Sequence, residues 1–411
     1  MLKLFKQLVG SSPEASTAIT LGGVPFERTQ ETLHTLHAGS TGTGKSTGFV
    51  EMLLGIMARG DSRCIVLDPN GFYLSRFYRK GDVILNPFDK RSPGWSPFNE
   101  VRKPYDFDKV ARSIVPDGHG PDAAWHFYAQ TLIAEVMRAL IARGENTTEA
   151  LIHALTVMPA EELKTLVAGT PVTGLFDKDA TKALASTRFV LASFLKPYQY
   201  LLAGDFSLRT WIERDKGNLY ITWREDMTAS LAPLMAAWVD VLCTTTLSLT
   251  ADPERRIWLL LDELASLGKI SSLESALTKG RKHGLCCIAG VQSTAQLDRV
   301  FGRESAIVLR SCFRNFCAFA IAKIDPDTTE IFSRALGERE VDRATKTEGR
   351  SSNGSSESVS VQRVRERMVL PNELNELPDL TAYLALAGDH PTQRIRLTHR
   401  ELPVVIEPIQ E

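Results

Sequence analysis

An eight-residue run near the amino end of the sequence has the residue types and spacing of a phosphate-binding loop. Residues 39–46 read GSTGTGKS and match G-x-x-x-x-G-K-[ST] at each fixed position, between an apolar run and a helical pattern. The glycines let backbone N–H groups turn toward a phosphate, and the helix N-terminus adds its positive end. Lys45 is expected to reach the β- and γ-phosphates, and Ser46 to bind Mg²⁺. The candidate nucleotide-binding residues are Gly39, Ser40, Thr41, Gly42, Thr43, Gly44, Lys45, Ser46 and Thr47.

Two carboxylates at the end of an apolar run could complete the chemistry of such a loop. Residues 257–263 read IWLLLDE, which predicts a strand that ends at Asp262 and Glu263. A nucleotide hydrolase needs a carboxylate for the water shell of Mg²⁺ and a base that orients the attacking water. Asp262 suits the first task and Glu263 the second. The simpler alternative is a strand that happens to stop at acidic surface residues.

Three further polar residues follow or precede predicted strands. Gln292 follows the apolar run 285–291 and could contact the γ-phosphate, although Ser293 or Thr294 could instead cap a helix with Gln292 incidental. Arg281 lies in the basic turn 278–283, which by default is a solvated loop. In the more specific interpretation, Arg281 is an arginine finger that contacts the nucleotide bound by a neighbouring subunit. Asp68 ends another strand and either supports the site or forms a turn.

The order of apolar and helical patterns predicts an α/β fold. Strands are expected at 33–38, 64–68, 257–262 and 285–291, with 219–222, 315–321, 381–387 and 394–398 as additions. Helical patterns separate most of them, as in a parallel sheet. We predict a RecA-like P-loop nucleotide-binding domain in residues 31–94 and 201–411, an inserted all-helical domain in 95–200 and a lead segment in 1–30. The Ser- and Gly-rich stretch 349–360 is expected to be an exposed loop.

Composition excludes several other classes of protein. The 411 residues carry a net charge of −1, so any nucleic-acid binding must come from a local basic surface. The six cysteines lack the spacing of a zinc site, and no apolar run approaches the ~18 residues of a membrane span. A GTPase would need an Asn/Thr-Lys-x-Asp base reader, and the nearest run, 322–325, lacks the first residue.

Eight basic residues are candidate DNA contacts, although each could equally be a solvated surface charge. They are Lys279, Lys282, Arg299, Arg303 and Arg310, with Lys182, Arg188 and Lys196 in the helical part.

Several segments beyond the phosphate loop are specific enough to indicate a family. From about residue 30 to residue 398 the sequence resembles the type IV coupling proteins of bacterial conjugation, the group of TrwB and TraD, which is related to the FtsK and HerA DNA translocases. The resemblance rests on the phosphate loop and on LDPNG (67–71), ILNPFD (84–89), GWSPFNE (94–100), ITWREDM (221–227), LDELASL (261–267), ALTKGRK (276–282) and GVQST (290–294).

The resemblance implies an ATP hydrolase that uses ATP and Mg²⁺, works as a homo-hexameric ring and places Arg281 in trans. Its substrate would be single-stranded DNA with an attached relaxase, passed to a type IV secretion channel. The helical part would face the relaxosome, and the secretion ATPases and inner-membrane components would be partners. The resemblance also places the protein at the cytosolic face of the bacterial inner membrane. Members usually carry N-terminal membrane helices, and this sequence shows none.

Two other functions fit the same residues. The chain could be a docking adaptor that binds a nucleotide, turns it over little and recruits a relaxase or other cargo. It could also be a double-stranded DNA pump of the FtsK or HerA type. ATP hydrolysis with and without single-stranded DNA tests the coupling motor. The helical insertion argues against the duplex pump, by analogy with the family.

Overall fold

The computed structural model describes residues 18–118, 120–214, 216–351 and 354–411, so residues 1–17 of the expected lead segment lie outside the described part. The strands are β1 (Thr20–Leu21), β2 (Val24–Pro25), β3 (Thr35–Ala38), β4 (Arg63–Pro69), β5 (Val83–Leu85), β6 (Leu219–Trp223), β7 (Ile257–Leu261), β8 (Leu285–Val291), β9 (Asn315–Ala318), β10 (Glu338–Ser351), β11 (Gly354–Arg367), β12 (Thr381–Ala385) and β13 (Gln393–Arg396). The α-helices are α1 (Arg28–Glu31), α2 (Lys45–Arg59), α3 (Phe72–Phe77), α4 (Asp106–Ile114), α5 (Ala123–Arg143), α6 (Thr148–Ile152), α7 (Ala160–Leu166), α8 (Thr181–Leu195), α9 (Leu208–Arg214), α10 (Thr228–Ser248), α11 (Leu273–Lys279), α12 (Thr294–Phe301), α13 (Arg303–Cys312), α14 (Pro326–Ala335) and α15 (Pro371–Asn375).

Nine strands form one sheet, in the order β13-β12-β9-β3-β8-β7-β4-β6-β5. The strands from β9 to β5 run parallel, whereas β12 and β13 are added antiparallel at one edge. Parallel strands are covered on both faces, which explains why runs such as Ile257–Leu261 are apolar and buried throughout. The expected strands are confirmed within one or two residues at most ends, and so is the α/β class with a P-loop.

The two faces of the sheet carry separate apolar cores. Within β7, Trp258 and Leu260 belong to a cluster with Phe49 of α2, whereas Leu259 and Leu261 belong to a second cluster on the opposite face. This split follows from the alternation of side chains along a strand. The first core also takes in Ile19 at the start of the described chain. The six cysteines, all within the described residues, are unpaired.

The described part of residues 97–200 contains helices and helical turns joined by short loops, and no strand. The segment is joined at its base, where Trp95 and Phe206 form an isolated parallel bridge and the Phe206 N–H donates to the carbonyl of Gly94 at 3.1 Å. Its apolar side chains, such as Leu132 and Leu191, belong to the same cluster as one face of the sheet. The segment therefore packs onto the sheet layer, and the boundaries predicted for an inserted domain remain a prediction.

Helix α10 is long and apolar enough to span a membrane by length and composition. The candidate span Glu225–Ser248 covers 24 residues, and an 18-residue window within it has a mean hydropathy of 1.4, but 61% of that window is buried inside the protein. Trp238 packs edge-on against Trp95 at 5.9 Å between ring centroids, and Asp240 accepts a hydrogen bond from the Ser113 hydroxyl at 2.6 Å. These contacts make α10 a core helix that connects the sheet with the helical segment.

The expectation of an exposed loop at 349–360 is wrong. Residues 338–351 and 354–367 pair antiparallel as β10 and β11, with registers that run from Glu338 opposite Arg367 to Ser351 opposite Gly354. Ion pairs between the strands, such as Arg343 with Glu366 at 2.8 Å, support the hairpin. Val359 and Val361 are more than half exposed, and among the described side chains of residues 338–346 and 359–367 none is buried. The sequence pattern therefore lacks the apolar period by which a strand is recognised.

Candidate nucleotide site

The phosphate loop joins the end of β3 to the start of α2. Gly44 has a φ of 119°, and a Cβ there would lie 3.1 Å from Cα of Leu380, so glycine is required by both conformation and space. The Lys45 ammonium donates to the carbonyls of Gly39 at 2.6 Å and Ser40 at 2.9 Å. Burial lowers the pKa of Lys45. The lysine thus lies folded over its own loop, where phosphate oxygens can replace the two carbonyls.

The remaining loop residues hold the loop to the strands beneath it. The Ser40 hydroxyl accepts from the Ala322 N–H at 2.8 Å, and the Thr43 hydroxyl donates to the carbonyl of Ser40 at 2.8 Å. The Leu380 N–H donates to the carbonyl of Thr43 at 2.9 Å. These bonds orient the loop before any ligand arrives, which reduces the cost of binding one.

Asp262 and Glu263 follow β7 directly and lie beside the loop, as the sequence predicts. The Ser46 hydroxyl lies 3.4 Å and 3.3 Å from the two carboxylate oxygens of Asp262. The Tyr73 hydroxyl donates to Asp262 Oδ2 at 3.0 Å. Burial raises the pKa of both Asp262 and Glu263 above their ordinary values. The two carboxylates are therefore positioned together and partly desolvated.

Gln292 follows β8 and connects the loop to the second carboxylate. Its Oε1 accepts from the Thr41 hydroxyl at 3.1 Å, and its Nε2 donates to Glu263 Oε2 at 2.8 Å. The other carboxylate oxygen, Glu263 Oε1, is buried and has no hydrogen-bond partner in the described part of the chain. A buried carboxylate oxygen without a donor is costly unless water or a ligand group supplies one. It is therefore available to bind and orient a water molecule.

A cavity of about 560 Å³ contains these groups. The sequence-predicted residues Thr41, Gly42, Gly44, Lys45, Ser46, Thr47, Asp262, Glu263 and Gln292 all line it. The other lining residues were not predicted as site residues, although three of them lie in the family segments; they are Pro69, Glu225, Ser266, Asp379, Leu380 and His399. Leu380 has an unusual positive φ of 61°, but only the fold shows that it contacts the loop.

The oxygen groups in the cavity fit Mg²⁺. Ser46 and Asp262 offer a hydroxyl and a carboxylate, which are the hard oxygen ligands that this ion prefers. Within the described ranges, no three His, Cys, Asp or Glu side chains lie close enough to hold a metal by themselves. Mg²⁺ usually binds through one or two protein oxygens with phosphates and waters, so the donor set agrees with a nucleotide-bound ion.

Arg281 lies away from this cavity. It precedes β8, whereas the phosphate loop and Gln292 follow the ends of the parallel strands β3 and β8. Arg281 instead lines an open groove of about 700 Å³ with Lys279, Lys282 and Arg256 at the opposite edge of the sheet. The structure therefore separates Arg281 from the other predicted site residues of its own chain.

The candidate DNA contacts fall into two classes by exposure. Six of them are exposed, namely Lys279, Lys282, Arg299, Arg303, Lys182 and Lys196. Arg310 is half-buried and forms an ion pair with Asp298 at 3.5 Å. Arg188 is also half-buried and donates to the carbonyl of Met158 at 2.6 Å. The last two side chains are thus already bonded within the protein.

Comparison with known proteins identifies the family. A model of the type IV secretion-system coupling protein DNA-binding domain matches residues 18–398. The chain belongs to this family. The coupling protein TraD of Escherichia coli strain K12 is 28% identical over 402 residues, a match that covers 94% of the chain and 55% of TraD. The chain thus spans about half the length of this curated relative. The predicted resemblance to type IV coupling proteins is confirmed.

Solved structures of a coupling protein confirm the fold. The unbound conjugative coupling protein TrwBdeltaN70 is 42% identical, with a TM-score of 0.90 and coverage of 100% of the chain and 94% of that protein. TrwB in complex with ADP and Mg²⁺ matches at 42% identity with a TM-score of 0.89. VirB4 of Thermoanaerobacter pseudethanolicus, at 15% identity and a TM-score of 0.55, shares the fold alone.

Proposed function

We propose that this chain binds ATP with Mg²⁺ and hydrolyses it to drive DNA into a type IV secretion system. The observation that carries the proposal is the convergence of Lys45, Ser46, Asp262, Glu263 and Gln292 on one cavity, from three separate segments that each follow a parallel strand. The structures of TrwB with ADP and Mg²⁺, and with a non-hydrolysable ATP analogue, support the choice of nucleotide and metal.

Each polar group has a task in hydrolysis. Glu263 binds the attacking water and accepts its proton as the water oxygen bonds to the γ-phosphorus and the bond to the β–γ bridging oxygen breaks. Lys45 contacts the β- and γ-phosphates, and Gln292 lies where it can bond to the γ-phosphate. Mg²⁺, when bound beside Ser46 and Asp262, neutralises charge on the phosphates. Loss of the γ-phosphate would then change the partners of Gln292, which also bonds to Thr41 and Glu263.

The order of strands gives the direction in which the nucleotide lies. Asp262, Glu263 and Gln292 follow β7 and β8, on one side of β3 in the sheet. Asp379, Leu380 and His399 lie at β12 and β13, on the other side of β3. The γ-phosphate therefore points toward β7 and β8, and the nucleoside extends toward Asp379 and His399. Both side chains are exposed in the cavity wall and can bond to the ribose or base.

The assembly and partners follow from the family and from the position of Arg281. We propose a homo-oligomeric ring, a hexamer, in which Arg281 of one subunit reaches the nucleotide of the next. Residues 95–200 would form the all-helical domain that contacts the relaxosome, and single-stranded DNA with its relaxase would be the cargo. The secretion ATPases and inner-membrane components would be partners at the cytosolic face of the inner membrane. The description of the matching family as a DNA-binding domain supports the DNA part of the proposal.

Phosphate release measured with and without DNA tests the motor. We expect ATP hydrolysis that single-stranded DNA stimulates and that Lys45→Ala abolishes. Stimulation by double-stranded DNA alone would instead indicate a duplex pump. Tight ATP binding without DNA-stimulated turnover, under conditions in which a ring is seen by mass photometry, would contradict the motor and favour a docking adaptor.

A further inference from the structure

The turn after β4 places one tyrosine behind the predicted metal ligand. Asn70 and Gly71 have φ values of 58° and 67°, and this left-handed turn reverses the chain into α3. The buried Asp68 carboxylate then accepts the backbone N–H groups of Tyr73 at 3.0 Å and Leu74 at 2.6 Å. These N–H groups belong to the first turn of the helix and have no partner within it. Asp68 therefore fixes the backbone of Tyr73.

The ring of Tyr73 is held as firmly as its backbone. The side chain is 2% exposed, and its ring lies 6.5 Å from that of Phe49 and 5.1 Å from that of Phe72, measured between centroids. Because the ring is held in this packing, the position of its hydroxyl is restricted. The hydroxyl donates to Asp262 Oδ2 at 3.0 Å. A hydroxyl on a locked ring constrains its partner more than one on a mobile side chain does.

The backbone of Asp262 is fixed separately. A Cβ on Gly290 of β8 would lie 1.9 Å from the carbonyl oxygen of Asp262, so the two strands approach closely at this point. The orientation of the carboxylate about its side-chain bonds is not fixed by the backbone and depends on its hydrogen-bond partners. Ser46 and Tyr73 are the side chains that hydrogen-bond to it. If Ser46 turned away from Asp262 to bind Mg²⁺, Tyr73 would still be positioned to donate to the carboxylate.

We propose that Tyr73 is a positioning residue that holds the Asp262 carboxylate in the orientation required by the water shell of Mg²⁺. The inference rests on the proposed function, because it assumes a nucleotide with Mg²⁺ in the cavity. Asp68 acts one step further away, since it fixes Tyr73. Groups that orient metal ligands typically change metal affinity about 10- to 100-fold when they are removed.

The test is equilibrium binding of a fluorescent ATP analogue at a series of Mg²⁺ concentrations. Tyr73→Phe keeps the ring and removes the hydroxyl, so we expect the Mg²⁺ midpoint to rise about 10-fold or more. Binding in EDTA should remain as in the unsubstituted protein. Tyr220→Phe is the matched control, because the Tyr220 hydroxyl is buried in β6 with no hydrogen-bond partner in the described part of the chain. It should leave the midpoint unchanged.

The outcomes separate this inference from the proposed function. If the unsubstituted protein binds no nucleotide, the proposed function and this inference both fail. If it binds normally and Tyr73→Phe leaves the Mg²⁺ midpoint unchanged, or weakens binding equally in EDTA, the positioning role alone is refuted. If Tyr73→Phe is unfolded at the temperature of the binding assay, Asp68→Asn is the second variant. It should raise the midpoint in the same direction by a smaller factor, and an unchanged midpoint would overturn the inference.

Discussion

Replacing Glu263 by glutamine is the sharpest perturbation that the site offers. The substitution keeps the volume of the side chain and lets its amide oxygen still accept from Gln292 Nε2, which now lies 2.8 Å from Glu263 Oε2. It removes the carboxylate oxygen that has no partner and could take a proton from water. Loss of such a base typically lowers turnover about 10²- to 10⁴-fold. This corresponds to about 2.7–5.5 kcal/mol of transition-state free energy.

The assay is steady-state phosphate release with single-stranded DNA, beside equilibrium binding of an ATP analogue. Glu263→Gln should bind the analogue as tightly as the unsubstituted protein, because the substitution leaves Lys45 and Ser46 in place. Glu225→Gln is the matched control, since it makes the same change at an exposed position on the wall of the same cavity. It should retain turnover within about threefold, which corresponds to about 0.6 kcal/mol. A Glu263→Gln protein that also retains turnover within threefold would refute the assignment of the base.

The dependence of turnover on pH checks the same residue independently. Burial raises the pKa of Glu263 above its ordinary value. The carboxylate is the active form, so turnover should fall as the pH drops through this raised pKa, at a higher pH than an exposed glutamate would give. The residual activity of Glu263→Gln should lack this acid limb. The same limb in both proteins would assign it to another group.

Three further predictions concern assembly, stability and DNA. Arg281→Ala and Lys45→Ala should each be inactive alone, whereas mixed subunits should recover part of the turnover through sites that combine an intact loop with an intact arginine. No recovery in mixed rings would contradict a shared site. Glu31→Ala should cost about 3–5 kcal/mol of unfolding free energy in urea, because the buried Glu31 carboxylate bonds to the guanidinium groups of Arg59 and Arg256. Glu254→Ala removes the exposed ion pair with Arg28 and should cost under about 1 kcal/mol of unfolding free energy. If both variants lost the same free energy, the predicted difference between the buried and the exposed pair would be refuted. Lys279→Ala and Lys282→Ala should each reduce the slope of log affinity against log salt for single-stranded DNA by about 0.7, and an unchanged slope would exclude the residue from DNA contact.

The parts of the site that could be predicted from sequence are those at the ends of parallel strands. The phosphate loop, Asp262 and Gln292 each follow a buried apolar run, and the carboxyl ends of parallel strands meet at one edge of a sheet. Their proximity therefore follows from a local pattern and one topological rule. The two cores follow in the same way from apolar runs that are buried on both faces.

The parts that could not be predicted depend on contacts that no local pattern records. Tyr73 lies in a helix of six residues, and only the fold shows that its hydroxyl reaches Asp262. Asp379 and His399 enter the cavity because β12 and β13 extend the sheet antiparallel, more than 300 residues after the loop. The pairing of β10 with β11 could not be predicted, because the described side chains of these strands are not buried and therefore show no apolar alternation.

The position of Arg281 has a consequence for how hydrolysis depends on assembly. Strand β8 separates Arg281 from Gln292, and its seven residues span about 20 Å. This length is greater than an arginine side chain can bridge, and Arg281 and Gln292 lie in the segments just before and just after this strand. A site that uses Arg281 must therefore take its loop and its arginine from different subunits, with the amino edge of one sheet against the carboxyl edge of the next. Such head-to-tail contacts form a ring when the rotation between neighbouring subunits closes, and an open filament when it does not. Under the proposed function, an isolated subunit binds ATP with all its loop contacts and hydrolyses it slowly, and assembly supplies the missing cation.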